Sequence, residues 1–205
     1  MYFQRDYILR MIDMIGETAR KILDEAREED ARAALDEISR KASGMPLKML
    51  KTADVSTLET LLSPEQRYLC AELLLIRAQV DARTQAGETV YPMRAQALSL
   101  LATLQNPDYL PRACDRAHAV MEETLDFLAP AELTALAALF ERGGRYAAAE
   151  DALWAAEDKA VLAAFYRRLL AMDDAALCAG NLPREEILEA MREIGGARET
   201  GPQLS

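Results

Sequence analysis

From Ala138 through Glu157 the chain reads ALFERGGRYAAAEDALWAAE, and this stretch restricts the fold more than any other. Alanine stands where larger apolar residues would fill space, and a Gly-Gly-Arg turn divides the run in two. Helices that cross closely need small side chains at the crossing, and a reversal in so few residues needs glycine. The stretch therefore predicts two tightly packed antiparallel helices. The rest of the chain agrees in class. Ala, Leu, Glu and Arg, all strong helix formers, dominate its 205 residues, with only nine glycines and eight prolines to interrupt them. No alternating run of Val, Ile, Thr or aromatic residues reads as a strand. The expected class is all-α.

Apolar periodicity and punctuation divide the chain. Residues 5–27 form one helix with two apolar strips. Ile8, Ile12, Ile15, Ala19, Ile22 and Ala26 make one, and Tyr7, Met11 and Met14 the other. Asp30 is placed to cap a second helix that runs to Ser43 and ends at Gly44 and Pro46. Residues 45–62 read as a connector in which Asp54 or Ser56 caps a short helix. Ser63-Pro64-Glu65 opens a long helix ending at Gly87, and a partner runs from Pro92 to Leu104. Further helices are expected from Pro111 to Leu128, from Pro130, from Arg145 to Glu157, from Lys159 to Cys178, and from Pro183 to Ile194. The expected organisation is a helical hairpin and connector over 1–62, a repeat region over 63–196, and a disordered tail over 197–205.

The opening stretch belongs to a longer pattern: Leu133, Leu136, Ala137, Phe140, Gly144, Tyr146, Ala149, Leu153 and Ala156. It resembles the tetratricopeptide repeat, a pair of antiparallel helices that stacks with its neighbours. The resemblance covers one clear unit. Residues 73–101 and 162–190 match it only loosely, and Val161 stands near the place of the usual closing proline. It implies stacked helix pairs in a right-handed superhelix whose concave face binds a peptide or protein, with Thr134, Ala138 and Glu141 turned to that groove. Repeats of this kind that clamp a C-terminal carboxylate place Lys, Arg or Asn there, which this chain does not. Separately, RDYILRMIDMIGETARKIL at 5–23 is similar to the opening of an uncharacterised bacterial family of tetratricopeptide-like proteins, through Asp6, Tyr7, Ile8, Arg10, Met11 and Ile12. No activity comes with that likeness.

Chemistry is sparsely signalled. Cys114, His118 and Glu122 recur every fourth residue, and thiolate, imidazole and carboxylate all bind zinc. His118 is the single histidine, however, and a lone histidine near a carboxylate is far more often structural. A metal-dependent enzyme on this helix face is therefore the alternative, and no catalytic, cofactor or metal residue is assigned. No P-loop, dinucleotide fingerprint or Gly-x-Ser-x-Gly elbow is present. The pairs Glu28-Glu29, Glu122-Glu123 and Glu185-Glu186 read as solvated faces.

A formal net charge of −10 disfavours nucleic acid and anionic membrane as partners. The three widely spaced cysteines suit a reducing compartment, and neither a signal peptide nor a membrane span is legible, so the expected location is cytoplasmic. The leading expectation is a non-catalytic protein–protein interaction or scaffold protein. It is expected to be a homodimer joined through Ile8, Met11, Ile12, Ile15 and Ile22, the alternative being a monomer in which that helix folds back onto its own chain. Partner and pathway are not written in these residues.

Overall fold

The computed structural model describes residues 28–83 and 87–196. Among them every regular element is helical, so the class is all-α. Two compact units divide between Leu128 and Ala129. The expected division at residue 62 lies inside the first of them. The helix and apolar strips expected over 5–27, and the tail over 197–205, lie outside the described residues.

The first unit is built around α4 (Pro64–Asp81). Before it come α1 (Glu28–Ser43), α2 (Leu47–Thr52) and α3 (Val55–Leu61). After it come α5 (Gly87–Ala102), α6 (Leu110–Met121) and a 3-10 helix (Glu122–Phe127). Helix α4 is buried nearly all round, and α1, α2, α3 and α5 all pack on it. Along α1, Ala31, Leu35 and Ser39 are buried at helical spacing. The buried Ser39 hydroxyl donates to the Met45 carbonyl at 2.7 Å, and Gly44, at φ +76°, turns the chain out of the helix. Asp54 caps α3 by accepting from Ser56 N and Thr57 N. Ser63 and Gln66 form a capping box at the start of α4.

Four expected boundaries in this unit need correction. Asp30 lies inside α1, which already includes Glu28, so it is not a cap. Helix α4 stops at Asp81, and Gly87 lies in α5 where it was expected to end α4. Pro92, expected to start this helix, lies inside α5. A proline inside a helix removes one N–H donor and its ring crowds the preceding turn. Burial of Val90 and Met93 in one cluster with Ala78 of α4 favours keeping that turn helical. After Met121 the chain tightens into the 3-10 helix, where buried Thr124 donates its hydroxyl back to Val120 O at 2.8 Å.

The second unit contains α7 (Pro130–Arg142), α8 (Tyr146–Ala155), α9 (Lys159–Leu170), α10 (Asp174–Ala179) and α11 (Arg184–Gly196). Helices α7 and α8 pack as a hairpin, α9 packs on both α8 and α11, and α10 packs on α11. The reversal after α7 is a Schellman motif. Arg145 N donates to Phe140 O, Gly144 N donates to Glu141 O, and Gly144 has φ +69° as a left-handed residue must. Every side chain of the nine-residue pattern except the glycine is buried: Leu133, Leu136, Ala137, Phe140, Tyr146, Ala149, Leu153 and Ala156.

The single helix expected from Lys159 to Cys178 is two. Asp173 caps α10 by accepting from Ala176 N at 2.8 Å, and the Arg184 guanidinium donates to Leu170 O and Met172 O across the break. Helix α10 ends in a second Schellman motif with Asn181 at φ +59°, closed by buried Leu177 and Leu182. Gly180 beside it is required for a different reason. A Cβ there would lie 2.1 Å from the Tyr146 ring, and the Gly180 carbonyl accepts from Ala147 N at 3.1 Å. The link between α10 and α11 thus docks directly onto the first turn of α8.

Candidate functional site

The helix face that the repeat resemblance turns toward a ligand lies on α7. Thr134 and Ala138 are half-exposed there. The Thr134 hydroxyl donates to Pro130 O in its own helix, as threonine does when no other acceptor is near. Glu141 is already engaged. Its two carboxylate oxygens accept from Arg168 Nε at 2.8 Å and Arg168 Nη2 at 2.7 Å, a bidentate pair joining α7 to α9. The Glu141 hydrogen bond raises the Arg168 pKa, while partial burial opposes it. The face is therefore small, uncharged at Thr134 and Ala138, and closed at one end by a neutralised ion pair. Arg168 is 27 residues from Glu141, and no local spacing announces the pair.

Beside this face, the seam of α8 and α9 holds an ionisable cluster. Tyr166 is fully buried, and its hydroxyl donates to the half-buried Glu150. Trp154 lies one turn along α8 from Glu150 and is 40% exposed. Burial pushes the Glu150 carboxyl above the ordinary glutamate range. The Tyr166 hydrogen bond opposes that shift, and the charges of Asp151 and Glu186 add to it. Burial, followed by Glu150, also pushes the Tyr166 phenol upward, so it remains a donor. The sequence carried only a weak sign of this cluster, since Glu150 reads as one more acid on an acidic helix.

In the first unit, Cys114, His118 and Glu122 do not converge. Cys114 is buried, whereas His118 and Glu122 are exposed. Steps of four residues advance about 400° around a helix of 3.6 residues per turn, so such a row drifts from core to surface. Glu122, moreover, begins the 3-10 helix. Among the described residues no three His, Cys, Asp or Glu are grouped to hold a metal ion. The other cysteines are thiols as well. Cys70 is buried, and burial pushes it up to about 11, whereas Cys178 is exposed. Glu29, Glu122, Glu123, Glu185 and Glu186 are exposed, and Glu123 takes a 2.6 Å ion pair from Arg94. Above that pair Phe127, 51% exposed, stacks on Tyr91 with ring centroids 3.9 Å apart, and Arg94 lies 5.8 Å from the Tyr91 ring.

A family model matches residues 2–199. The chain belongs to a family of unknown function, DUF6483. Comparisons with curated proteins and with solved structures found no match. The DUF6483 match spans the described part of both units, so both are family features rather than additions to it. Its description assigns no chemistry, and the site rests on the geometry above. Among the described residues no helix is long and apolar enough to cross a membrane. Ile8, Met11, Ile12, Ile15 and Ile22 lie outside the described residues.

Proposed function

We propose that this DUF6483 chain is a non-catalytic interaction protein whose C-terminal unit works as a tetratricopeptide-like surface for a protein or peptide. The observation that carries this reading is the burial of every side chain of the nine-residue pattern, around a Schellman turn at Gly144. Helices α7 and α9, which the repeat reading makes the first members of successive pairs, are joined by the Glu141–Arg168 bridge. Because Arg168 is already neutralised, the occupant that suits this face packs small apolar groups on Ala138 and Thr134 and is not anchored by a terminal carboxylate. The homodimer through residues 8–22 and a cytoplasmic setting belong to the same proposal.

The test is Ala138→Arg, which puts a long cation on the half-exposed face and leaves Ala137 and Ala149 untouched. Wild-type and variant chains, matched by circular dichroism and melting temperature, are used as baits in a lysate of the native host. Proteins recovered by the wild type and lost with Ala138→Arg support the reading. Recovery of the same set by both baits overturns it.

A further inference from the structure

Between Glu37 and Asp54 the chain carries Arg40, Lys41, Lys48 and Lys51 and no acid. Three of its five lysines stand in that stretch, although its formal net charge is −10. The fold gathers these cations. One oxygen of the Asp36 carboxylate accepts from Leu47 N at 2.9 Å. The other accepts from Arg40 Nε at 3.0 Å and Nη2 at 2.9 Å. A single carboxylate thus fixes the start of α2 beside the guanidinium in the last turn of α1. Gln96 of α5 holds the far end of α2 by donating to Leu50 O at 3.1 Å and Ala53 O at 2.8 Å. A helix this short has little stability of its own, so these ties are what present its outer face.

Helix α2 buries Leu47 and Leu50. Its outer face carries exposed Lys48 and Met49 with half-exposed Lys51, and Met49 is 54% exposed. Arg40 pairs with Asp36 and Lys41 with Glu37, so those charges largely cancel. Among the described residues no acid pairs with Lys48 or Lys51. They stand three residues apart, as neighbours on one edge of the helix beside Met49.

We propose that this outer face of α2 is a docking surface for an acidic segment of another protein: an apolar anchor packs on Met49, and the carboxylates next to it meet Lys48 and Lys51. An unbranched thioether adapts to many apolar shapes, and unpaired ammonium groups steer and select an anionic partner. An anionic membrane offers the same sign of charge but fits worse. Binding to a bilayer scales with the apolar area inserted, which here is one methionine, and the acidic remainder of the chain is repelled. The α7 face, uncharged at Thr134 and Ala138, selects a different chemistry, so the two surfaces are separable by experiment.

The probe is a fluorescent synthetic peptide built on the repeat Glu-Glu-Leu, with its Gln-Gln-Leu counterpart as control and the full chain as receptor. Anisotropy should show binding of the acidic peptide alone, weakening as salt rises. Lys48→Glu/Lys51→Glu should weaken it by about tenfold. Met49→Ser should weaken it less and keep the salt dependence, and Ala138→Arg should bind as the wild type does. Should the double charge reversal fail to fold, Lys48→Gln/Lys51→Gln decides by the same measure. A wild type that binds neither peptide, or both equally, overturns the proposal. So does binding that survives the loss of both lysines. Vesicles of phosphatidylserine and phosphatidylcholine, and light scattering at low salt, examine the rival occupants. Capture by the vesicles, or self-association, that is abolished by Lys48→Glu/Lys51→Glu would put a membrane or a second copy in place of the acidic segment and overturn it.

Discussion

At Gly180 a single methyl group is the quantity at issue. The Tyr146 ring occupies the place of a Cβ, and both residues are buried, so Gly180→Ala requires the ring or the α10–α11 link to move. Overpacking of this kind costs about 1–3 kcal/mol. We expect Gly180→Ala to lower the melting temperature, and to lower it less in a Tyr146→Ala background where the ring is gone. Equal losses in the two backgrounds would show that the contact is not the cause. Ala149 is fully buried in α8, and α8 packs closely on α7. Ala149→Leu is expected to cost about 1–3 kcal/mol, and an unchanged melting temperature would remove the close crossing from the account. Ala149 and Gly144 were readable in advance because their roles follow from spacing within one hairpin. Gly180 was readable only as a break in the chain. Its contact with Tyr146 joins residues far apart in sequence, and periodicity says nothing about such pairs. The Glu141–Arg168 bridge and the Tyr166–Glu150 contact were hidden for the same reason.

Among the elements, some starts were legible, while Asp30 and Pro92, read as starts, lie inside helices. Asp54, Ser63 and Pro130 mark α3, α4 and α7 because a cap or an N-terminal proline acts on the backbone beside it. Pro92 misled because the preference of proline for a helix's first turn yielded to burial of Val90 and Met93 with Ala78. Asp173 misled in the opposite sense. A helical pattern runs across it, yet its side chain caps a new helix and Arg184 takes the carbonyls freed on the other side. Asp173→Ala leaves Ala176 N without that acceptor and is expected to cost about 1 kcal/mol. Hydrogen exchange should place the loss in α10, with faster exchange at Ala176 and Leu177. Protection unchanged there would mean that Arg184 alone maintains the break.

For the whole molecule, the all-α class was written in composition, whereas the division at Leu128 was not, because no glycine- or proline-rich linker marks it. Self-association belongs to this scale. Helix α1 already packs on α4, and the dimer proposal rests on sequence alone, in which Ile8, Ile12, Ile15, Ala19 and Ile22 fall at helical spacing beside Tyr7, Met11 and Met14. Light scattering of the intact chain at tens of micromolar is expected to give the mass of a dimer, and Ile8→Glu/Ile15→Glu a folded monomer. A monomeric mass for the wild type would end the dimer proposal. The thiols have a practical consequence of their own. Cys70 and Cys114 are buried in the first unit, and Cys178 is exposed in the second. A thiol reagent should therefore consume one equivalent at once and the other two only as fast as the first unit opens. The slow phase is a clock for that opening under native conditions, and it requires no label, mutation or denaturant.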